Sequence, residues 1–221
     1  MGAYEFPTVN MDALPAVPVE LSTISQTIWT GKFFLNEQFT LDQLQRERTR
    51  ESFVIIHLAT HGNFEKGKPH NSFIQLWNSQ LTLDRIIELG WDTPRVELLV
   101  LSACRTALGD EQAELGFGGL AVASGVKSAL ASLWYVSDQG TLALMTKFYE
   151  QLKIVPIKSE ALRQSQMAMI RGQLQIKDGK LYGINSVPDG IPLPPKLASL
   201  PNQTLSHPYY WSAFTMIGSP W

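Results

Sequence analysis

Short, largely apolar runs alternate along the chain with longer stretches whose apolar residues recur three or four apart, a pattern that predicts strands interleaved with helices. Phe53 to Ala59 is a continuous apolar run with β-branched members, as expected of a strand buried on both faces of a parallel sheet. Val96 to Leu101 and Ser128 to Trp134 repeat the design. Phe73 to Trp77 and the aromatic segment HPYYWSAFTMIGSPW supply two further strand candidates, and Phe33-Phe34-Leu35 an edge strand. Helical spacing covers Val19 to Trp29, stopped by Gly31, and Thr40 to Arg50 behind a Thr cap. It returns in Leu83 to Leu89 between Thr82 and Gly90, and in the small-residue stretch LGFGGLAVASGV. Asp138 to Leu152 follows, with Leu142, Met145, Phe148, Tyr149 and Leu152 inward, and then SEALRQSQMAMIRG behind a Ser159 cap.

Strand-helix alternation of this kind implies a three-layer α/β domain, a largely parallel central sheet flanked by helices. Residues 1–16, rich in Pro and small side chains, form an irregular lead-in, and 17–221 make up the domain. A long polar stretch, 173–206, interrupts the alternation as a loop or hairpin insertion. Within it Lys177-Asp178-Gly179 predicts a hairpin turn, because Asp-Gly supplies the positive φ angles such a turn needs.

Composition narrows the function classes. The 221 residues carry a net charge of −2, which gives no footprint for nucleic acid or an anionic membrane. The one basic cluster, Arg46, Arg48 and Arg50, reads as a solvated helix face. No apolar run approaches the roughly 18 residues of a membrane span, and the acidic, proline-broken N-terminus is no signal peptide. A single cysteine excludes an internal disulfide framework and fits a reducing compartment, so a cytoplasmic setting is expected. There is no phosphate-binding glycine loop and no ligand cluster for a metal, so neither a cofactor nor a metal is expected.

The candidate chemistry sits at strand ends. Ala59-Thr60-His61-Gly62-Asn63 follows the first buried run, and open α/β sheets place ligands at the carboxyl ends of their strands. There His61 offers an imidazole, and Gly62 an unobstructed backbone N–H. Cys104, the only cysteine, ends the second buried run, and a thiol deprotonated by a nearby imidazole is a competent nucleophile. His57, four residues before His61, reads as a core or supporting histidine, because side chains so spaced on a strand need not converge. His70, His207 and the acidic run Asp110, Glu111 and Glu114 read as loop residues. Asp138, just past the third buried run, either caps the helix that follows or lines a substrate pocket.

HLATHGNF, LLVLSACRTALGD, GFGGLAVASGVKSALASLWYVSD, the FYEQL helix and HPYYWSAFTMIG resemble, in order and spacing, the CHAT domain of the caspase-like (clan CD) cysteine peptidases. The resemblance runs from about Leu14 to the C-terminus. It implies a caspase-like fold and a cysteine endopeptidase acting on a protein or peptide, with His61 as general acid–base and Cys104 as nucleophile. The backbone N–H groups of Gly62 and Cys104 would hold the oxyanion. The residue two before the nucleophile lines the substrate pocket in related enzymes, which implicates Ser102. Asp138 matches the acid of a separase LW-x-x-x-D segment and implies cleavage after Arg or Lys. Arg105 departs from the family's frequent Ser-Ala-Cys-Glu, which leaves the subsite charge open. The family also implies a TPR-type regulatory region or partner. An inactive interaction module of the same fold is the alternative.

Overall fold

A computed structural model describes residues 1–7, 9–64, 72–102, 105–106, 117–134 and 136–221. In chain order the elements are α1 (Val17–Ser22), a π-helical turn (Thr23–Ile28), a 3-10 turn (Asn36–Gln38), α2 (Leu41–Arg50), β1 (Ile55–Ala59), β2 (Gly62–Phe64) and β3 (Phe73–Gln75). Next come β4 (Gln80–Thr82), α3 (Leu83–Glu88), β5 (Leu98–Ser102), β6 (Arg105–Thr106), α4 (Phe117–Ala123), β7 (Ser128–Ser132), α5 (Asp138–Leu152) and α6 (Lys158–Ile170). The chain closes with β8 (Gln175–Lys177), β9 (Lys180–Tyr182), β10 (Ile191–Pro192), α7 (Pro195–Ala198), β11 (Gln203–Thr204), a 3-10 turn (Pro208–Tyr210) and β12 (Phe214–Gly218). No helix among the described residues is long and apolar enough to cross a membrane.

These elements fall into two compact units. The first comprises Met1–Ala13, Phe34–Tyr135 and Phe214–Pro220. Its main sheet has the order β1-β5-β7-β12, with β1, β5 and β7 mutually parallel and β12 antiparallel to β7. Every residue of β5 and β7 is buried, which explains the unbroken apolar or small-residue character of those runs. The small side chains of β7 let α4 pack close, and Gly118 of α4 is pressed against Ile217 of β12, where a Cβ would overlap. A second sheet of this unit, β4-β3-β2-β6, continues the chain directly beyond β1. The run Phe73 to Trp77 therefore yields β3 in this smaller sheet. Phe33-Phe34-Leu35 makes no strand: Leu35 contributes one isolated bridge to Gly2. Residues 1–3 pad the free edge of β1, with Ala59 N–H donating to Met1 and Ala3 N–H to Ala59.

Arg48 corrects the reading of its cluster as a solvated face. It is 7% exposed, lies 4.7 Å over the Trp91 ring, and donates to the carbonyls of Leu89 (2.8 Å) and Gly90 (2.7 Å). Those carbonyls close the C-terminal end of α3, where a cation is favoured. Burial lowers its pKa from the ordinary value, opposed by Asp92.

The second unit comprises Leu14–Phe33, Val136–Ala213 and Trp221. Its centre is α5, packed on α6, α1 and the π-helical turn, and buried without interruption from Gly140 to Glu150. One inward face was expected; burial all round is the finding, with Thr146 returning its hydroxyl proton to the Leu142 carbonyl. The 173–206 stretch builds a four-stranded antiparallel sheet, β10-β9-β8-β11. Its turn has Asp178 at φ 50° and Gly179 at φ 73°, the two positive angles that Asp-Gly predicts.

Candidate active site

His61 leaves the end of β1 with its backbone held from two sides. Thr60 N–H donates to Ser102 of β5 (3.3 Å), and Gln75 N–H of β3 donates to the His61 carbonyl (2.9 Å). Thr60 adds a bond from its hydroxyl to the Gln75 carbonyl (2.7 Å). The ring is 7% exposed, and the Phe6 ring lies against it with centroids 4.8 Å apart. His61 Nε2 is 2.7 Å from the Asp12 carbonyl. A carbonyl only accepts, so Nε2 carries the hydrogen. Proton exchange with a substrate would then run through Nδ1. Nothing in the sequence marks a backbone carbonyl as the orienting partner of a histidine. Phe6 belongs to the lead-in read as irregular, and nothing in the sequence singles it out for that contact.

Gly62 follows with a defined amide direction. The bond from Gln75 N–H to His61 makes Gly62 and Ile74 a pair that exchanges no hydrogen bonds. The Gly62 N–H therefore points away from β3, to the side on which β6 pairs. Cys104 lies outside the described residues, as do His70, Asp110, Glu111 and Glu114. The described residues that flank it are Ser102, in register with Ala59, and Arg105, in register with Asn63. Those two partners stand two residues before and two residues after His61.

Ser102 is 1% exposed, and its Oγ is 2.8 Å from His57 Nε2, itself 9% exposed. His57 is thus a bonded core histidine, as its strand position predicts. His207 caps the last 3-10 turn, its Nδ1 accepting from Tyr209 N–H.

Asp138 belongs to the second unit and is not the cap of α5. Ser137 is, its Oγ accepting from Gly140 N–H at 3.0 Å. The Asp138 carboxylate instead accepts from Ala16 N–H at the start of α1 (2.8 Å). Burial raises its pKa to about 6 against the Ala16 bond, with Glu20 raising it further and Lys196 lowering it. A buried acid that titrates near neutrality is the kind of group functional sites use, and the kind structural networks also produce.

The parallel strands β1, which ends two residues before His61, and β5, which ends in Ser102, belong to an α/β domain whose sheet brings both to its carboxyl edge. The chain belongs to the CHAT domain family, whose model matches residues 3–219. That family is related to the caspase-like peptidases, and the sheet topology agrees with their fold. Comparison with curated proteins finds no match.

Proposed function

We propose that this domain is a cysteine endopeptidase of the caspase-like kind. The observation that carries the reading is His61, held at a strand end with Nε2–H on a backbone carbonyl and followed by a glycine whose N–H faces the β6 side. In the proposed cycle the Cys104 thiolate attacks the scissile carbonyl, and the backbone N–H groups of Gly62 and Cys104 stabilise the oxyanion. His61 delivers a proton to the leaving amine, releasing it and leaving a thioester. Water, deprotonated by His61, then hydrolyses the thioester and returns the thiol.

The proposed substrate is a protein or peptide. Ser102 and Asp138 are proposed as its pocket residues from their sequence positions. Ser102 is uncharged, so preference for Arg or Lys before the cut rests on Asp138. A TPR-type region or partner is proposed as regulator, and a reducing, cytoplasmic setting is proposed on the strength of the single cysteine. Turnover of a positional-scanning peptide library by the full chain tests the reading. Cys104→Ala and His61→Ala should each lower kcat/KM by about 10³-fold or more with the melting temperature preserved. Wild-type turnover that persists in Cys104→Ala overturns the mechanism. Absence of turnover, with a thiol no more reactive toward iodoacetamide than free cysteine, replaces it with an interaction module.

A further inference from the structure

A polar cavity of the second unit has no part in that cycle. It lies among α5, α6 and the segment that follows β9, and its volume is about 440 Å³. Helical spacing builds two of its walls. Lys147 and Gln151 stand four apart on α5, and Gln164 and Ala168 four apart on α6, so each pair shares a face. Arg171 and Gln173 enter from the turn after α6, and Gly183 and Asn185 from beyond β9.

The two charged side chains of this lining are both cations. Lys147 is 6% exposed, and two of its three ammonium hydrogens go to Glu150 (2.7 Å) and the Gly183 carbonyl (3.0 Å). Glu150 therefore offsets Lys147, and the charge of Arg171 is left over. Among the described residues, the side chains of Gln151, Arg171, Gln173 and Asn185 meet no hydrogen-bond partner, and each is at least partly open to solvent. Gln164 spends an amide hydrogen on Glu160 (2.6 Å) and keeps its oxygen as an acceptor. Ala168 is the one apolar side chain among the described lining residues, and no aromatic ring is present. Such walls offer nothing on which a base could stack or an acyl chain could pack.

We infer that this cavity binds a small carboxylate that also carries hydroxyl groups, a ligand of the sugar-acid or hydroxy-acid class. Arg171 pairs with the carboxylate, because its planar fork matches two oxygens at once. The hydroxyl groups exchange bonds with Gln151, Gln173 and Asn185, since amides and hydroxyls both donate and accept. One negative charge balances the one left over, whereas a phosphate monoester brings nearly two. The volume lies within the roughly 300–1,000 Å³ of small-molecule sites. Neither His61 nor Cys104 takes part, so the site stands apart from the peptidase reading.

The test titrates gluconate into the ¹⁵N-labelled full chain and follows the side-chain amide resonances of Gln151, Gln173 and Asn185. Glucose supplies hydroxyls without charge, propionate charge without hydroxyls, and inorganic phosphate a different anion. Gluconate should give saturable shifts with a Kd of about 1 mM or tighter, and each of the other three should bind at least about tenfold more weakly. Arg171→Gln should weaken gluconate by about tenfold. Lys177→Gln, on the exposed face of β8 and outside the cavity, should leave it unchanged. Should Arg171→Gln fail to fold, Asn185→Ala decides, with an expected loss of about fivefold. No saturable shift up to about 50 mM gluconate overturns the inference, as does equal binding by Arg171→Gln and wild type. Propionate or phosphate binding as tightly as gluconate overturns the assignment to a hydroxylated carboxylate.

Discussion

Asp138 shows how burial of a single carboxylate becomes a property that can be measured. Its pKa is raised to about 6 chiefly by burial, so the folded protein binds this proton more tightly than the unfolded chain does. The stability it contributes is fully present below pH 3.8 and is lost as pH rises through about 6. Above that pH its charge is a net cost of roughly 2 kcal/mol, allowing for its residual exposure. Asp138→Asn keeps an oxygen to accept from Ala16 N–H and removes the charge. Urea unfolding should find this variant more stable than wild type by roughly 1–2 kcal/mol at pH 7.5, the gain vanishing near pH 4. A difference independent of pH would show that the acid is not raised. Individual residues were legible where local chemistry decides, as at the Asp178-Gly179 turn. They were not legible where a backbone group or a distant segment is the partner. The Asp12 carbonyl on His61 and the Ala16 N–H on Asp138 leave no trace in local sequence. Asp138 left two readings open, capping α5 or lining a pocket, and the cap falls to Ser137 because the two are equally good capping types that only backbone geometry separates.

At the scale of elements, α5 anchors the small antiparallel sheet through an ion pair three residues apart on the helix. Lys147 Nζ donates to Glu150 (2.7 Å) and to the Gly183 carbonyl (3.0 Å) just past β9. The other Glu150 oxygen accepts from Ser186 N–H (2.7 Å) and its hydroxyl (3.0 Å). Both charged side chains are under a tenth exposed. Burial works against the ionised Glu150, but the bonds from Lys147 and Ser186 outweigh it and hold its carboxyl below the usual glutamate range. Because the folded pKa is depressed, this stability is present at neutral pH and is lost as pH falls below about 4.5. Removing one partner leaves a buried charge uncompensated, so Glu150→Ala should cost about 3–5 kcal/mol at pH 7, whereas Ser186→Ala should cost about 1 kcal/mol. Denaturant unfolding compares the two, and hydrogen exchange at the Ser186 amide should accelerate in Glu150→Ala. Equal costs would mean that the pair is solvent-screened. The hairpin was readable from Asp-Gly, but the sheet around it was not. Its outer strands are two residues each, too short for alternation to register. Ser159, expected to cap α6, lies inside the first turn, two positions past the N-cap residue Ile157. Arg48 was misread because a helix surface in sequence does not reveal what another element lays over it.

For the whole molecule, three buried runs fixed the parallel order of β1, β5 and β7, because a strand buried on both faces can be little else than the interior of an α/β sheet. The proposed peptidase reading adds a proposed preference for Arg or Lys before the cut, which rests on the sequence position of Asp138. That specificity can be checked through the same acid that shapes the pH dependence of folding. In the proposed reading only an ionised Asp138 would attract a basic residue of the substrate, and the carboxyl gains its charge as pH rises through about 6. Selectivity for Arg or Lys over Gln at the cleavage position, as a ratio of kcat/KM, should therefore be greatest near pH 7.5 and decline toward pH 5. Asp138→Ala should lower that ratio by about tenfold or more at pH 7.5 and flatten its pH dependence, while turnover of the Gln peptide changes little. The ratio separates recognition from damage to the fold, because a destabilised enzyme loses activity on every peptide alike. A ratio of one in wild type at pH 7.5 would remove Asp138 from substrate recognition and leave it the structural acid that holds the start of α1.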